Sequence, residues 1–418
     1  MNAPSRNRGR RTGRNTHSPV GGGGTLRWLA PAFHRLLDRL DRGLAAGTIE
    51  ASLPDGTTRF LGARSPGPVA EVRVHSWRAL LRLVTGGSAG WYEAWAAGEW
   101  SSADPVPLFD LFMRNRVPLG NLARASGPTR AVKRWLHWLH HNDRAGARRN
   151  IRYHYDLGND FYRLWLDPSL TYSSALFDTS DDLAAAQARK LDAILARTGT
   201  KPGERILEIG CGWGSFAERA ARAGRRVHAI TLSEHQAEAA IARNAGLDGV
   251  TVAITDYRDV DGEYDAVASI EMVEAVGQAY WSDYLATIAR VLKPGGRAAI
   301  QYIAIDDAIF DAYAANVDFI QTYIFPGGML LSTSRFRALA ERHGLAWRDP
   351  HAFGADYART LREWRHALDR AVAEHRLPAD LDRGFVDLWR YYLMYCEGGF
   401  AGGGIDVVQV TLVKGGKT

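Results

Sequence analysis

Short apolar segments alternate with amphipathic segments along the C-terminal two thirds of the chain. Their apolar period switches between about two and about 3.6 residues, which predicts strands that alternate with helices. The predicted strands are 205–209, 226–232, 250–255, 264–270 and 297–305, and the predicted helices are 215–223, 234–245 and 281–292. A last alternating segment, 405–413, predicts an antiparallel strand at the edge of an otherwise parallel sheet. We therefore expect a doubly wound, Rossmann-like α/β domain over residues 151–418.

The N-terminal part has a different pattern, which predicts a small α+β domain over residues 25–128. A helix is expected at 28–44, strands at 48–53, 57–61 and 69–74, two short helices at 77–84 and 90–98, and a further helix at 106–115. This segment contains no cluster of residues that suggests catalysis. We expect it to contact lipid, a membrane or a second copy of the chain.

Two basic segments flank this domain. Residues 1–24 contain five arginines and four consecutive glycines but no acidic residue, which predicts a disordered tail, with an electrostatic membrane tether as the alternative. Residues 129–150 have apolar positions at helical spacing among arginines, with Trp135 and Trp138. This linker is either an interfacial membrane helix or an ordinary helix packed on the next domain.

Composition limits the partners, metal sites and cellular compartment that we expect for the protein. The 418 residues carry a formal net charge of +6, which favours an anionic membrane or nucleic acid as partner. The two cysteines, Cys211 and Cys396, cannot build a disulfide framework, and no C-x-x-C pattern suggests a metal. No apolar run is long enough to span a bilayer. We expect a cytoplasmic protein without a metal.

The glycine-rich turn after the first predicted strand is the strongest candidate for a binding site. The sequence G-C-G-W-G occupies 210–214, directly after strand 205–209, and Glu208 lies inside that strand. Glycines allow positive φ and a close approach of the backbone to a ligand. The spacing G-x-G-x-G differs from the G-x-G-x-x-G of dinucleotide sites. It fits a ligand without a phosphate to bind, such as S-adenosylmethionine (SAM).

Further motifs follow in order along the chain. They are H-Y-D-L-G-N-D at 154–160, L-T-Y-S at 170–173, T-L-S at 231–233 with Gln236, D-Y-R-D at 256–259, E-M-V-E-A-V-G at 271–277, Y-I-F-P-G-G at 323–328, F-G-A-D-Y at 353–357 and C-E-G-G-F at 396–400. With the glycine turn, this series resembles class I SAM-dependent methyltransferases. More specifically, it resembles the cyclopropane-fatty-acyl-phospholipid synthases and their relatives that form methylene or methyl-branched fatty acids. The resemblance covers about residues 149–418. A weaker match to the family's N-terminal domain lies at G-E-W, 98–100.

The resemblance implies a set of SAM-binding residues. Those near the methionine end and the glycine turn are Tyr172, Ser173, Glu208, Gly210, Gly212 and Gly214. Those after the second and third strands are Thr231, Leu232, Gln236, Asp256 and Tyr257, the last two near the adenine. His154 and Asp156 are expected to organise a segment that covers the cofactor.

By the same resemblance, the catalytic base is a bicarbonate ion held in a cage of protein groups. Three positions keep the family's residue types, as Glu274, Ile303 and Tyr357. Ser174 stands at the cysteine position and Gln301 at the histidine position, and both side chains can hydrogen-bond an oxyanion. These two changes leave bicarbonate, another anion, another base and another product open.

Two catalytic candidates, Glu274 and Cys396, are expected to have different roles. Glu274 follows strand 264–270, where a buried carboxylate would orient the base and offset positive charge on the substrate. The alternative for Glu274 is a glutamate that interacts with a helix dipole. Cys396 matches a family cysteine near the acyl site, and we expect a small buried apolar group rather than a nucleophile.

These observations predict a SAM-dependent C-methyltransferase that acts at cis double bonds of unsaturated phospholipid acyl chains. Methyl transfer would leave a carbocation, and a base would then remove a proton. Cyclopropane is the leading product, and a methylene or methyl-branched acid is the alternative. The other classes are an RNA or small-molecule methyltransferase and a non-catalytic lipid-binding protein. We expect peripheral contact with the inner membrane face, no nucleic acid partner and, by resemblance, a homodimer.

Overall fold

The computed structural model describes residues 26–120, 158–178, 182–379 and 381–415. The basic tail 1–24, the linker 129–150 and the residues His154 and Asp156 lie outside these ranges. The predictions made for them therefore stay predictions.

The N-terminal unit is a four-stranded sheet with helices packed on one face. Its elements are α1 (Ala30–Gly43), β1 (Thr48–Ser52), β2 (Thr58–Gly62), β3 (Val69–Val74), α2 (Arg78–Ala96), β4 (Trp100–Ser101), α3 (Val106–Arg114) and α4 (Arg116–Leu119). The strand order is β2-β1-β3-β4, with β1 and β3 parallel. Strand β3 is alternately exposed and buried, so its apolar–charged alternation places one face on the core.

Segment α2 agrees with the prediction of two short helices, because two helical stretches within Arg78–Ala96 meet at a kink. The kink lies at a single non-helical residue, Gly87, with φ 59°. A glycine adopts this conformation without a Cβ clash, so the helix resumes after a kink.

The C-terminal unit is built on the large sheet. Its elements are α5 (Asn159–Arg163), α6 (Leu183–Thr198), β5 (Arg205–Ile209), α7 (Ser215–Arg222), β6 (Arg226–Thr231), α8 (Glu234–Arg243), β7 (Val250–Ile254), β8 (Tyr264–Ile270), α9 (Trp281–Val291), β9 (Leu292–Ile305), α10 (Asp307–Ala314), α11 (Phe319–Tyr323), β10 (Leu331–Ser332), α12 (Thr333–Arg342), β11 (Leu345–Ala352), α13 (Gly354–Ala373), α14 (Arg383–Ala401) and β12 (Ile405–Lys414). The strand order is β11-β12-β9-β8-β5-β6-β7, and β10 pairs with β9. Strands β5 to β9 are parallel to one another. The α/β fold is confirmed.

Two details of the sheet correct the predictions. Strand β12 is antiparallel, as expected, but it is not an edge strand, because β11 pairs with its outer side. The K-P-G-G segment 293–296 falls between predicted helix 281–292 and predicted strand 297–305, where the sequence predicts a turn, but the structure has no turn there. The segment lies within β9, where the pairing register with β8 shifts between Tyr264 and Ala266 and absorbs the extra residues.

Helices α13 and α14 join the two units. A single hydrophobic core contains residues of α1, α2 and α3 together with residues of α13 and α14. At Gly398, an added Cβ would lie 2.5 Å from Phe109 Cβ and 2.7 Å from the Val106 carbonyl oxygen. The absence of a side chain at Gly398 therefore lets α14 approach α3 closely. Among the helices of the described ranges, none is both long enough and apolar enough to cross a bilayer.

Candidate active site

The glycine turn after β5 has the geometry of a ligand cradle. Gly210, Gly212 and Gly214 all have positive φ, at 81°, 50° and 83°. A Cβ added at Gly212 would meet no protein atom within 4 Å, whereas one at Gly214 would lie 3.0 Å from Ala240. The turn therefore packs on helix α8 at one end and faces open space at its centre, which is what a bound cofactor needs.

Below this turn lie two buried titratable side chains: Glu208, which the sequence analysis assigned to the cofactor, and Lys190, which it did not assign. Lys190 is fully buried in α6 and donates a 2.5 Å hydrogen bond to Ser173 Oγ. Glu208 is 3% exposed, and its Oε2 has no hydrogen-bond partner among the described residues. Burial raises the pKa of Glu208 to about 8 and lowers that of Lys190 to about 8. The unpartnered carboxyl oxygen fits a polar ligand in the cradle, as SAM would be. A lysine on the apolar face of a helix was the available signal in the sequence.

The remaining predicted cofactor residues lie just after β6 and β7, the second and third parallel strands in the chain. Thr231 Oγ1 donates to Gln236 Oε1 at 2.8 Å, and Ser233 caps helix α8, which explains the T-L-S-x-x-Q pattern locally. Leu232 lies between Thr231 and Ser233 in the chain and is half-buried. Because β5, β6 and β7 are parallel, their carboxyl ends lie at one edge of the sheet.

Asp256 and Tyr257 lie at that same edge, after β7. Asp256 is buried and forms a two-armed ion pair with Arg258, at 2.8 and 2.6 Å. Burial raises the pKa of Tyr257, and its hydroxyl has no hydrogen-bond partner among the described residues. The structure thus brings these predicted cofactor residues to one edge of the sheet, where Arg258 neutralises the charge of Asp256.

Next to the predicted cofactor residues lies an apolar cavity of about 370 Å³. Its walls come from both units: α2 and α3 contribute Leu83 and Phe109, and the C-terminal unit contributes Ile303, Tyr392 and others. Aromatic side chains form much of the lining, namely Trp91, Phe109, Phe112, Tyr172, Tyr313, Phe325, Tyr357, Tyr392, Tyr395 and Phe400. Such walls suit an apolar substrate and a transient positive charge.

A carboxylate that the sequence analysis did not assign lies at the polar end of this cavity. Glu271 Oε1 accepts hydrogen bonds from the Ser174 backbone N–H at 2.9 Å and from Gln301 Nε2 at 2.7 Å. Glu271 Oε2 accepts one from the Tyr357 hydroxyl at 2.6 Å. Gln409 donates to Gln301 Oε1 at 3.0 Å, which fixes the orientation of the Gln301 amide. Three predicted cage positions therefore converge on Glu271.

Glu274 faces the same cavity but accepts fewer hydrogen bonds than Glu271. The Ile303 N–H donates to Glu274 Oε1, while Glu274 Oε2 has no hydrogen-bond partner among the described residues. Part of the side chain is accessible from the cavity, but the carboxyl group is enclosed by protein. Burial first, and the charge of Glu271 second, raise the pKa of Glu274 to about 8. The polar end of the cavity thus holds two carboxyl groups. Glu274 accepts a hydrogen bond from the Ile303 N–H, and Glu271 accepts hydrogen bonds from three other donors.

The remaining candidates lie in or beside the cavity, with one difference of detail. The Ser174 hydroxyl donates to the Ala175 carbonyl oxygen at 2.9 Å, so only its backbone N–H faces the carboxylate. Tyr172 shares a 2.8 Å hydrogen bond with Tyr392, and both hydroxyls lie at the cavity wall. Cys396 lines the cavity, and burial raises the pKa of its thiol, which favours an apolar role over a nucleophile.

The fold, the glycine turn and the apolar cavity define a class I SAM-dependent methyltransferase. The model of the family described as mycolic acid cyclopropane synthetase matches residues 142–410, and the chain belongs to that family. A tuberculostearic acid methyltransferase of Mycobacterium tuberculosis is 36% identical over 415 residues, covering 93% of each chain. A cyclopropane-fatty-acyl-phospholipid synthase of Escherichia coli is 33% identical over 354 residues, covering 83% of this chain and 88% of the relative.

Solved structures support the same class. A cyclopropane synthase of Mycobacterium tuberculosis superposes with a TM-score of 0.60 at 31% identity, covering 64% of this chain and 98% of that one. A mycolic acid cyclopropane synthase complexed with SAH and CTAB gives a TM-score of 0.60 at 30% identity, with the same coverage. The bound SAH of that relative supports SAM as the cofactor of this chain. The chain is thus a SAM-dependent C-methyltransferase or cyclopropane synthase.

Proposed function

We propose that the protein transfers the methyl group of SAM to a cis double bond in the acyl chain of an unsaturated phospholipid. The observation that carries this proposal is the apolar cavity, which ends at Glu271, Glu274 and Tyr357 beside the segment that bears Tyr172 and Ser173. An acyl chain is the substrate whose shape and polarity match such walls.

When bound, SAM supplies an electrophilic methyl group on a sulfonium ion. The residues that would hold it are those of the open glycine turn with Glu208, and those at the ends of β6 and β7. Lys190 fixes Ser173 from below and so positions the Tyr172–Ser174 segment between the two sites. An alkene is a weak nucleophile, so the chain's main contribution is to align the two reactants and exclude water.

The cavity walls suit the charge that develops on the substrate. Methyl transfer to one alkene carbon leaves a carbocation on the other. The aromatic faces of Tyr172, Tyr392 and Phe400 can stabilise such a cation without forming a bond to it. The Glu271 carboxylate at the end of the cavity adds negative charge nearby.

Proton loss then decides the product. If a proton leaves the new methyl group while its carbon bonds to the cation, a cyclopropane forms. If a hydride first moves from the methylated carbon to the cation, loss of a methyl proton leaves a methylene group. A reductase could then produce a methyl branch. The cyclopropane proposal is supported by the family and by the Escherichia coli relative.

The methylene or methyl-branched product is a second candidate with its own support. The relative that matches 93% of this chain is named a methyltransferase rather than a cyclopropane synthase. In addition, Ser174 and Gln301 replace the cysteine and histidine expected of the bicarbonate cage. Both candidates share the first chemical step.

We also propose that the protein works at a membrane surface, because its substrate resides there. The N-terminal unit exposes Trp28, Phe60 and Val69, which are 74%, 66% and 60% accessible. In the sheet, Phe60 lies opposite Glu50 and Val69 opposite Thr48, so both apolar side chains lie on the same outer face. Exposed aromatic side chains of this kind insert at the lipid headgroup level.

Expression in a bacterium that lacks its own acyl-modifying enzyme tests the proposal. Mass spectrometry of extracted fatty acids should show unsaturated chains that have gained CH2. Mild catalytic hydrogenation then separates the candidates, since a methylene takes up hydrogen and a cyclopropane resists. Unchanged lipids, with the protein folded and SAM bound, would overturn the proposal. Transfer of labelled methyl to RNA instead would favour the other class of methyltransferase.

A further inference from the structure

We propose that Glu271 is the proton acceptor of the reaction, so that the protein carries its catalytic base in its own chain and needs no bicarbonate. This inference rests on the proposed function, because it concerns the proton lost after methyl transfer. It starts from the finding that the hydrogen-bond donors expected to hold a bicarbonate ion already bind a side chain.

The donors leave no place for a bicarbonate ion. The Ser174 N–H, the Gln301 amide and the Tyr357 hydroxyl all donate to the two oxygens of Glu271. A second anion at this point would have to displace the carboxylate and would be repelled by it. The Ile303 N–H is also engaged, since it donates to Glu274. The residues present therefore do not fit bicarbonate, and they do fit a built-in carboxylate.

The two glutamates are set up for different protonation states. Glu271 accepts three hydrogen bonds, which favour its charged form, whereas Glu274 accepts one and leaves Oε2 without a partner among the described residues. Two enclosed carboxyl groups that repel one another share one proton, and here that proton resides on Glu274. Burial raises the pKa of Glu271, but the hydrogen bond from Tyr357, the charge of the fully buried Lys190 and the hydrogen bonds from Gln301 and Ser174 all act against that rise. The charge of Glu271, by contrast, raises the pKa of Glu274 further. Glu271 is thus the ionised member of the pair.

An ionised Glu271 keeps the capacity to accept a proton. Its Oε1 accepts two hydrogen bonds and its Oε2 accepts one, so Oε2 retains a free lone pair. Glu271 also lines the cavity in which the acyl chain is placed. The new methyl group would lie there, beside the carbocation.

The backbone at Glu271 supports a functional role. Its φ is +48°, in the left-handed region that residues other than glycine rarely adopt. The Glu271 N–H is held there by the Gln301 carbonyl oxygen at 2.8 Å. Unfavourable backbone conformations persist where the surrounding structure enforces them, and they cluster at functional sites. Here the conformation aims the carboxylate at the three donors.

The proposed step is balanced within the site. A C–H bond of the transferred methyl group breaks, and its electron pair forms the new C–C bond of a cyclopropane or the C=C bond of a methylene. The proton passes to Glu271 Oε2, which becomes neutral. After the product leaves, Glu271 loses the proton to water and returns to its charged form.

The first test measures the methyl-transfer rate of purified protein on vesicles of unsaturated phospholipid, in buffer depleted of carbon dioxide. We expect the same wild-type rate with and without added bicarbonate. We expect E271Q to lose about 100-fold or more in turnover, in the range of general-base catalysis, without rescue by bicarbonate. A wild-type rate that depends on bicarbonate, or E271Q turnover close to wild type, would overturn the proposal.

Glu271→Gly gives a second test, because it opens the cage and relieves the positive φ. We expect E271G to be inactive in depleted buffer and to regain turnover with added bicarbonate, which could then occupy the vacated donors. Persistent inactivity of a folded, SAM-binding E271G in bicarbonate would also count against the proposal.

The matched control is E397Q. Glu397 is a buried glutamate of α14 that pairs with Arg362 and Arg365, both at 2.9 Å, and does not line the cavity. We expect E397Q to lower the melting temperature and to keep its turnover. If wild-type protein methylates no lipid, the proposed function fails. If wild type is active and the Glu271 variants behave otherwise than described, only this inference fails.

Discussion

The Tyr357 hydroxyl donates a 2.6 Å hydrogen bond to Glu271 Oε2, and the two residues are 86 positions apart in the chain. Tyr357 lies in the first turn of α13, and Glu271 directly follows β8. This contact joins a helix of the shared core to the carboxyl edge of the sheet. It therefore couples the packing of the two units to the polar end of the cavity.

Removing that hydroxyl should impair catalysis more than folding. Tyr357→Phe leaves the ring in place but takes one donor from an ionised carboxylate, a loss of about 1.5–3 kcal/mol. We expect turnover to fall by about 10- to 100-fold, with little change in SAM affinity. Steady-state kinetics and calorimetry measure the two effects.

Tyr302→Phe is the control for that variant. Tyr302 is buried, hydrogen-bonds to Thr333 at 3.2 Å and does not line the cavity. It should lose some stability and keep its turnover. Equal losses of turnover in Y357F and Y302F would show that the effect is one of general packing.

The stability of the protein should depend on pH through Glu274. Its pKa is raised from 4.5 to about 8 in the folded protein, so between these values the folded state binds a proton that the unfolded state has released. Raising the pH through this window therefore destabilises the fold. Glu274→Gln removes this contribution, so wild type should lose stability relative to E274Q from pH 6 to pH 8.5.

Urea unfolding of both proteins at the two pH values measures that difference. Glu208 and Lys190, whose pKa values are also near 8, are present in both proteins, so their effects largely cancel. A difference in stability that stays constant with pH would contradict the raised pKa of Glu274.

The open centre of the glycine turn should be sensitive to a single methyl group. Gly212→Ala meets no protein atom, so its Cβ would enter the space assigned to SAM. The positive φ adds about 1 kcal/mol of destabilisation. We expect SAM affinity, measured by calorimetry, to fall by about tenfold or more, because a cofactor that packs closely on the turn tolerates little displacement.

Gly203→Ala provides the comparison. Gly203 has φ 87° and equally open surroundings, but it precedes β5 at the opposite end of the strand. It should show a similar loss of stability and wild-type SAM affinity. Equal SAM affinity of G212A and G203A would place the cofactor elsewhere.

The buried lysine should be essential for the predicted cofactor site. Lys190→Met removes the hydrogen bond to Ser173 and the positive charge that attracts Glu271, Asp167 and Glu208, and leaving a buried charge without its counter-charge costs about 3 kcal/mol or more. Thermal unfolding should show this loss. The double variant K190M/E208Q should recover only part of it, because it removes the uncompensated carboxyl group of Glu208 and leaves that of Glu271. A double variant less stable than K190M would contradict the charge pairing.

Local patterns allowed much of the sheet to be predicted. Strands β5 and β8 have the bounds that their apolar periodicity predicts, because each is buried in the sheet and bounded by glycine or polar residues. The position of β12 was not predictable in this way. Its alternating pattern fixes a strand, but pairing with β11 depends on where a separate segment returns in space.

In the candidate site too, some residues could be predicted from the sequence and others could not. Glu271 and Glu274 are in one quoted motif, yet the sequence analysis assigned only Glu274, because the resemblance had a role for it. What identifies Glu271 is that Ser174, Gln301 and Tyr357 converge on it. Those residues come from separate elements, so only the folded structure brings them together. Lys190 differs, because its place on the apolar face of a helix was a signal in the sequence, although its hydrogen bond to Ser173 was not.

The most direct test of the central claim uses SAM with a deuterated methyl group and vesicles of unsaturated phospholipid. The proposed reaction transfers the methyl group and removes one of its own deuterons, so the acyl chains should gain CD2. Mass spectrometry of the fatty acids reads this directly. Acyl chains that remain unchanged, while the folded protein binds SAM, would contradict methyl transfer to lipid. Chains that gain an intact CD3 would contradict proton loss from the new methyl group.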